Sequence, residues 1–407
     1  MADKSEGKHR MSGYGQAFFP KEEMLEVARK TSRLVIGIPK EEDKNENRVA
    51  LTPHSVEMLV NNGHELYIES GAGDGSNFPD TDFSEVGASI CADKSLVYRC
   101  DIILKVSPFN KHEIELLKGN QIIISALNIG TQTKAYFEAL KLKKITAIAF
   151  ELLKDENNCF PVMRSMSEII GSTSILIAAE NLSKRSIGKG KILGGITGVN
   201  PSEVVILGSG TAAEFAARTA LGLGAIVKVF DHSIYRLRIL QQNLQHPVFT
   251  SILQHNILKN SLINADVVIG AMDLMGSDSG YVISEDMIRQ MKKGSVIVDA
   301  SIDRGGCFET SRITSHDNPI YVKHGVVHYC VPNIASSVAR TASYALSNIF
   351  GPILRDIGDS GGLKSLVRHD LGIRQGVFLL NGTLTNNYIG TFFNIPSKDI
   401  DLLIAAL

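Results

Sequence analysis

The segment 204–213, with the sequence VVILGSGTAA, constrains the fold of this chain more than any other. A β-branched apolar run leads directly into the pattern G-x-G-x-x-A, where a helix rich in small residues begins. Gly208 permits the tight turn, Gly210 lets backbone N–H groups approach a pyrophosphate, and Ala213 lets the helix pack closely on the strand. The unpaired N–H groups and positive dipole end of such a helix favour an anion. The segment therefore predicts a strand–turn–helix unit that binds a dinucleotide.

The next predicted strand, IVKVFD, ends in Asp231. An acid roughly 20 residues after the glycines accepts hydrogen bonds from the adenosine ribose in dinucleotide-binding folds, and its charge disfavours a 2′-phosphate. Arg236 lies about one helical turn further on and would soften that preference. We therefore predict NAD as the cofactor, with the strictness of its selection over NADP left open.

Strands and helices alternate on both sides of this segment, which is typical of parallel sheets built from βαβ units. The 407 residues exceed the roughly 250–300 that one hydrophobic core supports. The predicted fold class is α/β, with two Rossmann-like, doubly wound parallel-sheet domains separated by a cleft and joined by long helices. The predicted organisation is an N-terminal extension with a helical pattern at 21–30 (residues 1–30), the first part of a substrate domain (31–168), a cofactor domain (169–336) and a C-terminal return to the substrate domain (337–407).

Composition narrows the classes of partner. The chain has 42 basic and 43 acidic residues, so it offers no field of one sign for a nucleic acid. Its five cysteines are widely spaced without a C-x-x-C pair, which is typical of a reducing compartment rather than of a disulfide framework or a zinc site. No apolar run approaches the ~18 residues of a membrane span, and the polar N-terminus does not resemble a signal peptide. We predict a cytoplasmic protein without a metal, a membrane partner or a nucleic-acid partner.

Three polar side chains interrupt the apolar pattern where ligands of α/β folds bind. Arg48 follows the first predicted strand and would clamp a carboxylate; the alternative is an arginine in a polar surface loop. Lys105 closes the strand DIILKV and would point into the crevice; alternatively, its stem lies along apolar surface with its ammonium in water. Asp303 precedes a glycine pair and would lie near the nicotinamide, or it would simply cap that turn.

Together these segments resemble the alanine dehydrogenases, which are related to the nicotinamide-nucleotide-binding subunit of proton-translocating transhydrogenase. The resemblance extends from about residue 35 to about residue 385. Besides the glycine segment, it is carried by residues 36–53 (IGIPKEEDKNENRVALTP), 69–80 (ESGAGDGSNFPD), 101–106 (DIILKV), 166–171 (MSEIIG), 291–310 (MKKGSVIVDASIDRGGCFET) and 321–334 (YVKHGVVHYCVPNI).

The resemblance implies a reversible oxidative deamination, in which L-alanine, NAD and water give pyruvate, ammonium and NADH. By position it implies that Arg48 and Lys105 bind the substrate and that Asp303 is the catalytic acid beside the nicotinamide. It also implies contacts to NAD from Ser167, Asp231, Arg236 and Asn333, in addition to the glycine turn, with Asn333 close to the substrate as well. A homo-oligomer, a hexamer or a dimer, is a further implication.

One position departs from this pattern. The family uses an acid–base histidine in the segment after Lys105, where this chain has Asn128. An asparagine amide forms hydrogen bonds but does not exchange a proton near neutral pH, and general acid–base catalysis typically contributes about 10²–10⁴-fold. Three interpretations follow: Asp303 or Lys105 takes over proton transfer while Asn128 orients the substrate, the substrate is another small amino or keto acid, or the chain is an NAD-binding module with reduced catalysis.

Overall fold

The computed structural model describes residues 31–273 and 281–405, and the predicted helix at 21–30 lies outside them. The strands are β1 (Val35–Ile38), β2 (Glu65–Glu69), β3 (Ser89–Cys91), β4 (Ile102–Leu104), β5 (Ile122–Ser125), β6 (Thr146–Ala149), β7 (Glu203–Leu207), β8 (Ile226–Asp231), β9 (Phe249–Ile252), β10 (Val267–Gly270), β11 (Val296–Asp299), β12 (Ile320–Lys323), β13 (Val326–Tyr329), β14 (Val377–Leu380) and β15 (Thr383–Leu384).

The helices are α1 (Pro53–Asn61), α2 (Asp80–Glu85), α3 (Lys94–Tyr98), α4 (Lys111–Leu116), α5 (Lys134–Leu142), α6 (Pro161–Ser183), α7 (Thr211–Gly222), α8 (Ile234–Leu244), α9 (His255–Asn264), α10 (Glu285–Arg289), α11 (Ala339–Asp359), α12 (Leu363–His369), α13 (Leu371–Gly376), α14 (Asn387–Phe393) and α15 (Ile400–Ala405). Short 3-10 turns follow several strands, among them Ile129–Thr131, Phe150–Leu152, Ile302–Arg304 and Ile334–Val338. Within the described residues, no helix is both long and apolar enough to span a bilayer.

The strands form two sheets, in the orders β15-β14-β6-β5-β4-β1-β2-β3 and β12-β13-β11-β10-β7-β8-β9. Pairing is parallel except at β12–β13, β14–β15 and β14–β6. The predicted fold class is confirmed: these are two α/β domains with mainly parallel sheets. Both sheets reverse their strand order near the middle, between β1 and β4 and between β7 and β10, and ligands of such sheets bind at the carboxyl ends of the strands beside that reversal.

Alternate residues of each strand enter cores on opposite faces of its sheet, as the two-residue period of a strand requires. In β7, Val204 and Ile206 pack into one core while Val205 and Leu207 pack into the other. The first sheet is divided in the same way, with Ile102 and Leu104 on one face and Ile103 on the other. Both faces are covered by helices, which explains why the strands read as continuous apolar runs.

Two long helices connect the sheets. The N-terminal half of α6 contributes Val162 and Met166 to a first-sheet core, and its C-terminal half contributes Ile175 and Ala178 to a second-sheet core. The chain then returns along α11, whose inner face lies in the first-sheet core. The boundaries predicted at 168/169 and 336/337 fall inside α6 and the turn Ile334–Val338, and they remain a prediction.

Gly171 lets α6 approach α7 closely. A Cβ atom there would lie 2.2 Å from the Ala212 carbonyl oxygen and 2.9 Å from the Ala216 nitrogen. Since backbone atoms cannot move aside as a flexible side chain can, we expect Gly171→Ala to lower the free energy of unfolding by about 1–3 kcal/mol. Urea denaturation of the purified variant measures this.

The matched control is Gly222→Ala at the end of α7, where a Cβ atom would meet nothing within 4 Å. Alanine has the higher helix propensity, so this variant should be neutral or slightly more stable. Equal destabilisation of the two variants would contradict this explanation, because only an alanine at position 171 would meet the backbone of α7.

Candidate functional site

The predicted glycine turn joins β7 to α7 at the reversal point of the second sheet. Gly208 has a φ of +106°, and a Cβ atom there would lie 2.4 Å from the Ala271 carbonyl oxygen, so a side chain is excluded both by backbone conformation and by space. Gly210 precedes α7 with open space around it. Ala213 is fully buried on the inner face of α7. The turn thus presents the N-terminus of a twelve-residue helix to an anion.

Asp231 ends β8 beside this turn. Its side chain is 3% exposed; Ser209 Oγ donates to Oδ2 at 2.8 Å and the backbone N–H of Ser233 donates to Oδ1 at 2.8 Å. These bonds fix the carboxylate while it still lines the cleft. A fixed carboxylate here is an acceptor for ribose hydroxyls.

A cleft connects this turn with three other parts of the molecule: the N-terminal half of α6, the segment after β10, and the turn after β11. Six residues predicted from the sequence line it, namely Ser167, Gly208, Gly210, Asp231, Arg236 and Asp303. The arrangement therefore brings a helix N-terminus suited to an anion and a carboxylate suited to ribose hydroxyls into one cleft with an ionisable acid.

Asp303 belongs to the 3-10 turn Ile302–Arg304 after β11 and is open to the cleft. The surrounding protein reduces the hydration of its carboxyl group and raises its pKa; Arg304 opposes this effect and Asp273 adds to it. A carboxyl group with a raised pKa is better matched to proton exchange near neutral pH than an ordinary aspartate. Asp299, four positions earlier, instead has a structural role, because it accepts hydrogen bonds from the Cys307 N–H and the Ser311 hydroxyl.

Arg48 lies behind the cleft wall in a buried ion pair. Its Nε and Nη2 atoms donate to the two oxygens of Glu46 at 2.7 and 2.5 Å, and Nη1 lies 3.2 Å from the sulfur of Met166, which lines the cleft. Burial alone would lower the pKa of Arg48, but the Glu46 carboxylate outweighs it and raises the pKa. Glu46 occupies one edge of the guanidinium fork, so the Nη1–Nη2 edge is the one left for another carboxylate.

Asn333 binds the same glutamate from the other domain. Its Nδ2 donates to Glu46 Oε2 at 2.8 Å, and its backbone adopts the left-handed conformation at a φ of +59°. Nearby, the Asn47 N–H donates to the Ser336 hydroxyl at 2.7 Å. These contacts tie the loop that carries Arg48 to the segment that begins the return to the first sheet.

Lys105 is completely buried at the reversal point of the first sheet. Its ammonium lies 2.6 Å from Glu113 Oε1 and 3.5 Å from Glu41 Oε2, and the Tyr98 hydroxyl also donates to Glu113 at 2.8 Å. Burial would lower the pKa of Lys105, but the two carboxylates outweigh it and raise the pKa. The side chain is therefore a charged ammonium in a buried ion pair, and its predicted contact with a substrate stays a prediction.

Asn128 follows β5 in the left-handed conformation, with a φ of +45° and an exposed side chain. Its backbone N–H and that of Leu127 both donate to Glu151 Oε1, at 2.9 and 2.8 Å. Four further predicted residues, Arg48, Lys105, Asn128 and Asn333, are not part of the cleft lining, and neither is the buried Ala213.

The residues that sequence reasoning missed are the four glutamates that fix these groups: Glu41, Glu46, Glu113 and Glu151. For two of these glutamates, the sequence contained a pattern that could have identified them. Glu151 directly follows the strand ITAIAF, as Asp231 ends its own strand, and Glu113 is the third residue of a helix capped by Asn110, in the N-x-x-E pattern of a capping box. In the described part of the chain, no group of three or more His, Cys, Asp or Glu side chains is placed to hold a metal ion.

Comparison with known sequences identifies relatives of both domains. The profile of the alanine dehydrogenase/PNT N-terminal domain matches residues 37–170, and that of the C-terminal domain matches residues 174–387. The alanine dehydrogenase of Methanococcus maripaludis is 40% identical over 365 residues, which cover 89% of this chain and 97% of its own. The alanine dehydrogenase of Bacillus subtilis is 38% identical over 353 residues, covering 86% and 93%.

Solved structures agree. An L-alanine dehydrogenase superposes with a TM-score of 0.81 at 34% identity, covering 88% of this chain and 99% of that one. A transhydrogenase from Sinorhizobium meliloti, 22% identical, shares the fold with a TM-score of 0.70 over 87% of this chain and 99% of its own. Both domain profiles and relatives that align along nearly their whole length place this chain in the alanine dehydrogenase/PNT family.

Proposed function

We propose that this protein catalyses the reversible, NAD-dependent oxidative deamination of L-alanine to pyruvate and ammonium. One observation supports this above the others: Asp303 opens into the same cleft as the glycine turn and Asp231. Relatives named alanine dehydrogenase at about 40% identity support the amino-acid substrate.

The residues of the cleft fit a dinucleotide. The space around Gly210, the N-terminus of α7 and the fixed carboxylate of Asp231 suit the pyrophosphate and the ribose. Ser167 and Arg236 line the same cleft, and Asn333 is proposed to contact the cofactor and the substrate together. NAD, when bound, supplies the hydride acceptor.

The chemistry at the substrate belongs to this chain's own side chains. The Nη1–Nη2 edge of Arg48, which faces the Met166 sulfur in this structure, binds the substrate carboxylate, and Lys105 stabilises the keto oxygen. Asp303 holds a proton beside the reacting carbon, where its raised pKa suits proton exchange. Asn128 orients the substrate by hydrogen bonding and leaves the transfer of protons to carboxyl groups.

The test is NADH oxidation by the purified full-length chain with ammonium and pyruvate, beside a panel of small keto acids. We expect turnover on pyruvate that depends on ammonium. Turnover on a different keto acid but not on pyruvate would indicate that the protein is a dehydrogenase with another substrate. NADH binding without turnover on any keto acid would contradict the enzymatic function and leave an NAD-binding module.

Asp231 is expected to determine cofactor choice. Asp231→Ser removes a charged acceptor for the ribose, and hydrogen bonds to charged groups contribute about 1.5–3 kcal/mol, so the KM for NADH should rise roughly 10- to 100-fold. NADPH should become the better substrate relative to the parent chain, because the charge that opposes a 2′-phosphate is gone. Steady-state kinetics with both cofactors measures the preference, and an unchanged KM for pyruvate is the internal control. An unchanged preference would contradict this role.

A further inference from the structure

Glu151 combines two unusual properties at the end of β6. Its Oε1 accepts both N–H groups of the Asn128 turn, as described above, while its Oε2 is buried and has no hydrogen-bond partner. In the described residues only four buried side-chain atoms lack a partner, and the Tyr136 hydroxyl is another of them. Tyr136 is only 8% exposed, and the Glu151 carboxylate helps to raise its pKa, so the two orphan groups lie within electrostatic range. A buried polar group without a partner costs free energy, so each such group in a folded protein calls for an explanation.

The position of Glu151 relates it to the cleft. β6, β5, β4 and β1 are neighbours in the first sheet, so the residues that follow β6, β5 and β4, which are Glu151, Asn128 and Lys105, form one row along its carboxyl edge. Arg304, on the turn that carries Asp303, lines the cleft and lies within electrostatic range of Glu151. The row therefore faces the cofactor-binding domain.

We propose that Glu151 is the proton-holding group for the reaction at the Asn128 position, fixing the turn through Oε1 and exchanging a proton through Oε2. Glu151 does not line the cleft, so the proposed exchange runs through a water molecule beside the Asn128 side chain. This inference rests on the proposed function, and it names the group that replaces the missing histidine.

The protons of the hydrolytic half of the reaction balance without another reactant. In the oxidative direction, water adds to C2 of the protonated imino acid, the iminium, so a C–O bond forms and an O–H bond of the water breaks. Glu151 takes that proton and returns it to the nitrogen before the C2–N bond breaks. The remaining hydroxyl proton then leaves with ammonia as ammonium, pyruvate is formed, and Glu151 is again a carboxylate.

The surroundings of Glu151 suit this role. Burial raises its pKa, while the backbone N–H donors and the charge of Arg304 oppose the shift. Tyr136 is the titratable neighbour on α5. Of the cations on the other packed helices, Arg374 on α13 binds Asp401 and two carbonyl groups, and Arg164 on α6 binds Glu168. Neither arginine is therefore paired with Glu151.

The experiment compares Glu151→Gln in the parent chain and in an Asn128→His background. Glutamine keeps an oxygen for the Leu127 and Asn128 N–H groups but cannot exchange a proton, so kcat should fall about 10²–10⁴-fold in the parent and the acidic limb of its pH profile should disappear. Histidine tolerates the left-handed conformation of residue 128. With that histidine present, Glu151→Gln should lower kcat by less than about 10-fold, which is well below the usual contribution of acid–base catalysis. Glu138→Gln, on the exposed face of α5, is the matched control and should leave kcat unchanged.

A second readout does not depend on turnover. The pKa of Glu151 in the folded chain is raised above its ordinary value of 4.5. Its protonated carboxyl group therefore contributes fully to stability below pH 4.5, and this contribution is lost as the pH rises through the pKa of the folded state. The Tm of the parent relative to Glu151→Gln should therefore rise as the pH is lowered from neutral towards 4.5.

The outcomes separate the two proposals. Parent turnover on pyruvate with Glu151→Gln retaining kcat and the acidic limb would overturn the role of Glu151 and leave the proposed function intact. Equal losses of kcat in the parent chain and in the Asn128→His background would overturn it as well, because they indicate a purely structural role. Absence of turnover in the parent chain itself would overturn both.

Discussion

Replacing Lys105 with methionine should lower the free energy of unfolding by about 3–5 kcal/mol, since removing one partner of a buried ion pair leaves an uncompensated charge. Glu113 is fully buried and Glu41 nearly so, and burial already raises the pKa of Glu41. Both carboxylates would then lack their ammonium partner in a largely buried position. Urea denaturation at neutral pH measures the loss.

Two comparisons isolate the cause. Lys105→Met combined with Glu113→Gln removes both charges of the closest pair and should recover much of the stability. Lowering the pH should also reduce the deficit of the single variant, because the unpaired carboxyl groups bind protons more readily in the folded chain than in the unfolded one. A loss below about 1 kcal/mol, the range of exposed ion pairs, would contradict a buried pair.

The same double variant tests the proposed contact with the substrate. If Lys105 only stabilises the fold, turnover should return together with stability. If it also binds the keto oxygen, the refolded double variant should remain inactive while still binding NADH. Kinetics on the folded protein, checked by circular dichroism, distinguishes these results.

Asp303→Asn is expected to reduce kcat about 10²–10⁴-fold, the usual contribution of general acid–base catalysis. Asparagine has nearly the same shape but cannot exchange a proton. Because the side chain is open to the cleft, NADH affinity and Tm should change little. Stopped-flow turnover, NADH fluorescence titration and thermal unfolding measure the three quantities.

Asp299→Asn provides the contrast. That side chain is fully buried and accepts hydrogen bonds from the Cys307 N–H and the Ser311 hydroxyl, so its substitution should lower Tm and affect kcat only through folding. Asp303→Asn with kcat within 10-fold of the parent would be inconsistent with the proposed acid. A parallel loss of NADH binding would point to a cofactor contact instead.

Much of the second domain could be predicted from the sequence because its determinants are local. The conformation of Gly208, the burial of Ala213 and the end of β8 at Asp231 all follow from residues that interact within one βαβ unit. The central parallel strands of both sheets were visible because burial on two faces requires continuous apolar runs. The edge strands β3, β9, β12 and β15 were less visible, since they are partly exposed and form no such run.

The electrostatics of the site required the folded structure. Arg48 and Lys105 were chosen for their positions at strand ends, but the sequence did not reveal that each is bound to a buried glutamate. Glu41 reaches Lys105 from the loop after β1, and Glu46 joins Asn333 from a segment 287 residues away. Such pairings depend on which strands become neighbours, and a residue pattern within one element carries no information on that order.

The antiparallel pairing of β14 with β6 has a consequence for how the chain is made. The strands of the second sheet are contiguous, from β7 to β13, whereas the first sheet receives β14, β15 and the apolar face of α11 only after the second sheet is complete. Domains fold as units while synthesis proceeds at roughly 5–20 residues per second. The domain that contains the second sheet therefore completes its folding first on the ribosome. The part of the first sheet that is synthesised earlier keeps an unpaired β6 edge until the C-terminal residues emerge.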